Sequence, residues 1–290
     1  EFVDAVLSFF DYVGSPDRSS AFPITITNST FDNAMVVMNP GYTVINFNGN
    51  EVINCDRGIL GGGESIVLEG NNMNTIFESL DFIAEVITLK GNIINTESTS
   101  LNLTAGTITI EDNNITNLGT FSPPPYGHFG STISLNNCSG TIHNNVIERV
   151  GLGSVIYSEA AMDQLNIINN DIIGGGTFGI FQWPAVYHGG SPSGSTTDLN
   201  VINSSTSSGI HLINSGGMDM NCNDITSQGS SFSRAISIET GSDNPTIKGN
   251  TLNAYRDLYI KSSIGERDHL GNCYNGEAVE AVGFSTTELQ

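Results

Sequence analysis

The stretch "LKGNII" at residues 89–94 decides the fold, because the chain repeats its pattern along most of its length. Each copy has an Asn near its centre, with hydrophobic residues before and after it. Further copies are "LEGNNM" at 68–73, "IEDNNI" at 110–115, "IHNNVI" at 142–147, "IINNDI" at 167–172, "MNCNDI" at 220–225 and "IKGNTL" at 247–252. The early copies recur about every 21 residues, a period typical of a solenoid in which one small unit stacks on the next.

The recurrent Asn is predicted to be structural. If equal coils stack, the Asn side chains lie above one another at one corner, where they can bond to the neighbouring coils. Asn also tolerates the left-handed conformation that a tight corner needs. The predicted ladder consists of Asn50, Asn71, Asn92, Asn113, Asn145, Asn170, Asn223, Asn250 and Asn272. Two further repeats are assigned Ser at this position, Ser29 and Ser204.

Short strands flank the recurrent Asn. In "SIVLEGNNM" at 65–73, Ile66 and Leu68 would point to one side of a strand, and Val67 and Glu69 to the other. A second short strand follows about nine residues after the Asn, as in "TISL" at 132–135 and "GIHL" at 209–212. Helical periodicity is absent from the middle of the chain. Such coils cannot bury their apolar side alone, but they can when stacked at about 4.8 Å.

These repeats resemble those of right-handed parallel β-helix proteins of the pectate-lyase-like group, over roughly residues 24–274. The resemblance implies an all-β fold, a single right-handed parallel β-helix of about eleven coils. It does not select a function, because the group includes polysaccharide lyases, glycoside hydrolases, tailspikes, adhesins and surface proteins without known chemistry.

The two ends of the chain lack the repeat. In "EFVDAVLSFFDYV" at 1–13, the spacing of Phe2, Val6 and Phe9 predicts a short amphipathic helix. We expect residues 1–20 to form an N-terminal helical cap over the otherwise open edge of the first coil. The β-helix would occupy residues 21–275, and the acidic segment 276–290 would be a C-terminal cap or linker. Without an initial Met or a signal peptide, the chain is expected to be a mature product or part of a longer protein.

Composition restricts the partners. The chain has 30 acidic and 9 basic residues and a formal net charge of -21, which disfavours nucleic acid and anionic lipid. No apolar run approaches the ~18 residues of a membrane span. Since only 13% of residues are charged and Asn, Ser, Thr and Gly dominate the polar remainder, we expect an extracellular or cell-surface protein. Its expected partners are a glycan or another surface protein, with end-to-end self-association as a further option.

The sequence contains no motif that indicates a cofactor or a metal site. The four Cys residues have neither zinc-site spacing nor that of a dense disulfide framework, so they are expected to be buried thiols. No Asp-rich cluster marks a calcium site. We therefore predict no cofactor and no metal, although Ca²⁺ stays open because the surface is acidic.

Two insertions are predicted to frame a binding groove on the outer face of the second strands. They are "LGTFSPPPYGHFG" at 118–130 and "QWPAVYHGGSPSGSTT" at 182–197. Aromatic rings beside polar groups suit a sugar, whose C–H face packs on a ring while its hydroxyls bond to side chains. The competing interpretation is that these aromatics only anchor loops. The predicted ligand-binding residues are Tyr126, His128, Phe181, Trp183, Tyr187, His188 and His211.

Between the insertions, the outward residues of the second strands should stack in a row. Aligning the second-strand motifs places the following residues in that row: Ser134, Ile156, Phe181, His211 and Ser237. Catalysis would need a base, or two opposed carboxylates. The candidate catalytic residues are His211, Glu159, Glu239 and Arg234. The paired-Asp and "GHG" motifs of β-helical polygalacturonases are missing.

The sequence leaves two functional hypotheses. The favoured one is a non-catalytic extracellular spacer, adhesin or filament element that binds neutral glycans in the framed groove. The alternative is a carbohydrate-active enzyme, a polysaccharide lyase or glycoside hydrolase, that acts in the same groove. An ice-binding solenoid is disfavoured, because the Thr motifs "TITN" at 25–28 and "TITI" at 107–110 do not continue along the stack.

Overall fold

The chain forms a right-handed parallel β-solenoid, as seen in a computed structural model. No helix occurs among the residues that the structure describes. Those residues are 1–4, 6–10, 23–39, 44–76, 79–98, 100–119, 131–151, 153–159, 161, 163–178, 181–190, 194–204, 208–228, 233–239, 241–242, 245–261, 272–274 and 280–282. The all-β, parallel β-helix prediction is confirmed.

Each turn of the solenoid passes through three parallel sheets. Sheet 1 follows the recurrent Asn and has twelve strands. They are β1 (Phe2–Val3), β4 (Thr30–Asp32), β7 (Glu51–Cys55), β9 (Asn72–Thr75), β11 (Ile93–Thr96), β13 (Asn114–Asn117), β16 (Val146–Arg149), β19 (Asp171–Ile173), β24 (Val201–Ser204), β27 (Asp224–Ser227), β30 (Thr251–Asn253) and β32 (Cys273–Tyr274).

Sheet 2 contains the second strand of each repeat, and sheet 3 the strand before the Asn. The strands of sheet 2 alone are β2 (Val6–Phe10), β5 (Met35–Asn39), β14 (Ile133–Asn136), β17 (Ile156–Glu159), β22 (Val186–Gly189), β25 (Ser208–Ile213), β28 (Arg234–Ile238), β31 (Arg256–Lys261) and β33 (Glu280–Val282). Those of sheet 3 alone are β3 (Ile24–Thr27), β6 (Val44–Asn48), β15 (Ser139–His143), β18 (Leu165–Ile168), β23 (Thr196–Asp198), β26 (Asp219–Asn221) and β29 (Thr246–Lys248).

Three long strands bend around the corner between sheets 2 and 3 and belong to both. They are β8 (Ile59–Glu69), β10 (Leu80–Lys90) and β12 (Leu101–Glu111). An antiparallel hairpin, β20 (Gly176–Phe178) and β21 (Phe181–Trp183), projects between sheets 1 and 2 in one turn. The hairpin lengthens that repeat without changing the stacking of its neighbours.

The core lies inside the coils and consists of columns of like residues. In sheet 3, Ile66 stacks on Ile87 and Ile87 on Ile108, and all three are fully buried. Sheet 1 contributes a column that includes Ile94 and Ile115. Residues of similar size recur in register, so each coil covers the apolar side that its neighbour would expose.

The predicted Asn ladder is confirmed for all its members and is continuous. From Asn71 onward, each Asn accepts two hydrogen bonds at Oδ1, one from the backbone N–H and one from the side-chain amide of the Asn one coil before. Asn113, for example, receives both at 2.9 Å from Asn92, and its own Nδ2 donates to the carbonyl of Leu89 at 3.0 Å. The chain of bonds runs through Asn50, Asn71, Asn92, Asn113, Asn145, Asn170, Asn200, Asn223, Asn250 and Asn272.

One ladder position was assigned wrongly from the sequence. Asn200, and not Ser204, occupies it, since Asn170 donates to Asn200 and Asn200 to Asn223. Ser29 does belong to the ladder, because its N–H donates to Asn50 Oδ1 at 2.9 Å. Leu199 precedes Asn200 where most repeats have Gly, Asn or Asp, and this conceals the repeat in the sequence.

In ten repeats that the structure describes, the residue before the ladder position is in the left-handed region. Its φ lies between 50° and 64° at Asn28, Gly49, Gly70, Gly91, Asp112, Asn144, Asn169, Leu199, Cys222 and Gly249. Gly has no Cβ to clash in this conformation, and Asn and Asp tolerate it. The conformation therefore explains why most repeats carry Gly-Asn, Asn-Asn or Asp-Asn at the corner. Leu199 and Cys222 adopt it against their own preference.

The predicted N-terminal helical cap is wrong. Segments 2–3 and 6–10 are strands that pair in parallel with the next coil. Phe2 stacks on Phe31 with ring centroids 5.0 Å apart. Pairing with an open sheet edge outweighs the weak helical spacing of these residues, because a short helix gains little stability alone.

The number of turns is modestly lower than predicted. We count about eight regular turns, against about eleven expected. The remaining strands of sheet 1, such as Phe2–Val3 and Cys273–Tyr274, are short and belong to the turns at the two ends.

Replacing Asn113 by Ala should lower the free energy of unfolding by about 3 kcal/mol, because the buried groups of Asn92 and Leu89 lose their partners. Urea denaturation measures the change. The matched control is Asn114→Ala, whose side chain is exposed on sheet 1, and it should cost less than about 0.5 kcal/mol. Equal losses in the two variants would refute a ladder role.

Leu199→Asn should raise the free energy of unfolding by about 0.5–1 kcal/mol, because it relieves the left-handed strain at φ 57°. The same denaturation experiment compares it with Val201→Asn, an exposed strand position two residues away. The control should be neutral or slightly destabilising. A destabilised Leu199→Asn protein would contradict the conformation assigned here.

Candidate functional site

The most distinctive outer surface is one row of side chains along sheet 2. Parallel pairing places one residue per rung in this row, at about 4.8 Å spacing. In order along the solenoid the row, here called the outer row, comprises Ser134, Tyr157, Tyr187, His211, Ser237 and Tyr259. The first four are partly exposed, whereas Ser237 and Tyr259 are buried.

The outer row differs from the predicted one at two rungs. Tyr157 and Tyr187 take the places assigned to Ile156 and Phe181. Ile156 pairs with Ile133 and is fully buried, so the alignment of "SVIY" was shifted by one residue. Since side chains alternate along a strand, that shift exchanges the inner and outer faces. Phe181 lies in the projecting hairpin, and the next rung of sheet 2 begins later, at Val186.

The rings of the outer row touch one another. Tyr157 and Tyr187 are stacked, with centroids 4.7 Å apart and planes 4° apart. His211 meets Tyr187 edge-on at 5.8 Å. Tyr187 leans over Gly189, where an added Cβ would lie 2.9 Å from the tyrosine ring. A side chain at residue 189 would therefore displace this ring.

Two carboxylates border the rings. Tyr157 donates its hydroxyl hydrogen to Glu159 Oε2 at 3.1 Å, and His211 Nε2 lies 3.6 Å from Glu239 Oε1. Burial raises the pKa of Tyr187, and the charges of Glu159 and Glu239 raise it further. The pKa of Tyr157 is raised by burial and by Glu159. Both hydroxyls therefore stay protonated at neutral pH and can donate hydrogen bonds.

A guanidinium lies near the far end of the row. Arg234 Cζ is 3.5 Å from the ring centroid of Tyr259, a cation–π geometry. Its Nη1 is 3.4 Å from Ser237 Oγ. Arg234 is thus the basic side chain that borders the row on this side.

The four catalytic candidates therefore lie on one face. His211 and Glu239 form a base with a carboxylate neighbour, which is suited to accepting a proton. Glu159 and Glu239 are three rungs apart, so their backbones are separated by about 14 Å. Glycosidase carboxyl groups are roughly 5–10 Å apart, so this pair does not have hydrolase spacing at the backbone.

Of the remaining predicted ligand residues, His188 has a described side chain, and it does not join the row. His188 is fully buried, and its Nε2 lies 2.9 Å from Thr197 Oγ1 inside the coil, so the binding prediction for it is wrong. Trp183 belongs to the hairpin with Phe181, and the side chains of both are outside the described residues. Tyr126 and His128 also lie outside them.

Sequence reasoning missed Tyr157 and Tyr259 as members of the outer row. Both follow an inward-facing aliphatic residue, in "VIY" at 155–157 and "LYI" at 258–260. Aligning the repeats on that buried residue, instead of on the preceding Gly or Ser, would have found them.

Possible metal ligands and thiols can be located among the described residues. Among them, no group of three or more His, Cys, Asp and Glu side chains is arranged to hold a metal ion. Cys55 and Cys138 are buried free thiols, and burial raises the pKa of Cys138 to about 11. Cys222 is exposed, contrary to prediction, because it occupies the left-handed corner position.

No helix among the described residues is long and apolar enough to cross a membrane.

No family model, curated protein or solved structure matches this chain. Function is therefore inferred from the residues of the outer row and their surroundings.

Burial lowers the pKa of His188 from 6.5 to about 4. As the pH falls below 6.5, the unfolded chain binds a proton that the folded protein excludes until about pH 4. The folded state should lose on the order of 3 kcal/mol between these values. Urea denaturation from pH 7 to 4 measures this loss.

His188→Gln should make the pH dependence shallower, because Gln keeps a polar group near Thr197 but does not titrate. His143→Gln, at a half-buried position on the outside of sheet 3, should retain the steep loss. If His188→Gln and wild type lose stability in parallel, His188 is not the responsible group.

Proposed function

We propose that this chain is a rigid extracellular or cell-surface module, a β-helix of the pectate-lyase-like type. It serves as a non-catalytic spacer, adhesin or filament element and binds glycans without acidic groups along the outer row of sheet 2. The observation that carries the proposal is the contiguous set Tyr157, Tyr187 and His211 beside Glu159.

The chemistry of the row suits a sugar. Aromatic rings pack against the C–H faces and edges of a pyranose, while hydroxyl, imidazole and carboxylate groups bond to its hydroxyls. Tyr157 and Tyr187 combine both properties, because each carries a ring and a protonated hydroxyl. The rung spacing of about 4.8 Å lets neighbouring side chains of the row contact one extended ligand.

The support for these side chains is rigid. Each residue of the row stands on a strand that is hydrogen-bonded on both sides and packed on a fully buried partner, such as Ile156 under β17 or Val186 under β22. Preordered side chains lose little conformational entropy on binding. The same rigidity suits a spacer that must hold a binding surface at a fixed distance.

Electrostatics disfavour acidic glycans. Glu159 and Glu239 border the row, and the whole chain has a net charge of -21. A uronic acid would be repelled unless a divalent cation bridged it. This supports a neutral or cationic ligand.

The alternative is a carbohydrate-active enzyme that uses the same face. The observation that favours this alternative is that His211 Nε2 lies 3.6 Å from Glu239 Oε1. A lyase or hydrolase would release new reducing ends from a bound polymer, and His211→Ala or Glu239→Gln would abolish the release. Binding without any cleavage would leave the non-catalytic proposal in place.

Tyr187→Ala should weaken glycan binding by about tenfold or more, because it removes the central ring of the row. A glycan array with wild type identifies the ligands, and calorimetry then measures affinity for both proteins, with and without Ca²⁺. The matched control is Tyr255→Ala, an exposed tyrosine that lies off the row, which should bind as wild type does. Thermal denaturation checks that both variants are folded.

Absence of any glycan binding by wild type would overturn the glycan part of the proposal. Equal losses in the two tyrosine variants would instead show that the outer row is not the site. Trp183→Ala tests separately whether the hairpin frames the ligand, since this variant leaves the row intact.

A further inference from the structure

We infer that the outer row of sheet 2 recognises an amino sugar that carries a free ammonium group. This rests on the proposed glycan-binding function and specifies the class of sugar. A cationic polymer of glucosamine-like units is the ligand type that fits, in preference to a neutral or an acidic glycan.

The first observation is the position of Glu159 relative to the tyrosines. Glu159 pairs in register with Gly189, the residue over which the ring of Tyr187 lies. With no side chain at residue 189, the carboxylate of Glu159 and the hydroxyl of Tyr187 border the same space. The Tyr157 hydroxyl already donates to Glu159, which fixes the carboxylate beside the stacked rings.

The second observation is that no described cationic side chain forms an ion pair with Glu159. In the part of the chain that the structure describes, Glu159 takes part in no ion pair, and it is exposed. Arg234 stacks on Tyr259, a residue of the rung four beyond Glu159. The imidazole of His211 is paired instead with Glu239.

A carboxylate beside aromatic rings is a favourable environment for an ammonium group. The carboxylate forms a charge-assisted hydrogen bond with it, and the tyrosine hydroxyl oxygens beside the carboxylate can accept further hydrogen bonds from it. A simple amine would use only these two interactions. An amino sugar would also place its C–H groups against the rings and its hydroxyls near Tyr187 and His211, so it uses the whole row.

The long-range field acts in the same direction. With 30 acidic and 9 basic residues, the protein attracts a polycation from solution and repels a polyanion. That attraction alone is non-specific and weakens with salt. Specificity for the sugar therefore has to come from the rings, and the dependence on Glu159 reports the local contact.

The test compares two oligomers of equal length, one of glucosamine and one of N-acetylglucosamine, by calorimetry at pH 6 in physiological salt. Wild type should bind the cationic oligomer at least about fivefold more tightly. Glu159→Gln should remove most of that preference, because it weakens binding of the cationic oligomer several-fold more than binding of the acetylated one. Glu51→Gln, which removes an equal charge from the exposed start of β7 on sheet 1, should keep the preference.

The outcomes separate this inference from the function on which it rests. If both oligomers bind equally and Tyr187→Ala weakens both, glycan binding stands and the ammonium inference is overturned. If neither binds, and no other glycan binds, both proposals are overturned. If a lysine oligomer of equal charge binds as tightly with the same dependence on Glu159, the surface recognises charge alone, which also overturns the amino-sugar inference.

Discussion

The structure depends on the hydrogen bonds between ladder asparagines. Each coil turns a sharp corner that leaves backbone groups without strand partners, and a buried group without a partner is costly. The Asn side chain supplies hydrogen-bond partners to its own coil and both neighbours, because it accepts hydrogen bonds at Oδ1 and donates them at Nδ2. Asn113 and its neighbours Asn92 and Asn145 are linked in this way. With the corner fixed, like residues fall above like in all three sheets.

In-register stacking also explains why the candidate site is a row. On a parallel sheet, a residue type recurring at one outward position forms a line of side chains at rung spacing. Tyr157, Tyr187 and His211 form such a line, and Gly189 gives the central ring room to lean toward Glu159. The inward-facing side chains of the same strands, such as Ile156 and Val186, pack in the core. The outward-facing residues can therefore differ from rung to rung without disturbing the fold.

Prediction from sequence failed where a corner residue departed from the usual Gly, Asn or Asp, and where the repeats were aligned one residue out of register. Leu199 occupies a left-handed corner that favours Gly or Asn, and this concealed Asn200 as a ladder member. The one-residue shift at Ile156 exchanged a core residue for Tyr157. His188 was taken for a ligand residue because it lies with Tyr187 in the second predicted insertion. Adjacent residues in a strand face opposite sides, however, and His188 is buried.

The sequence by itself determined the parallel β-helix, because a repeated Asn, alternating apolar residues and a solenoid period are local patterns. It also determined the acidic surface that disfavours anionic ligands. Only the tertiary structure decided which aromatics meet, since that depends on register between strands more than twenty residues apart. Tertiary pairing likewise made strands of segments 2–3 and 6–10, because the open edge of the next coil offers hydrogen bonds that a short helix cannot match.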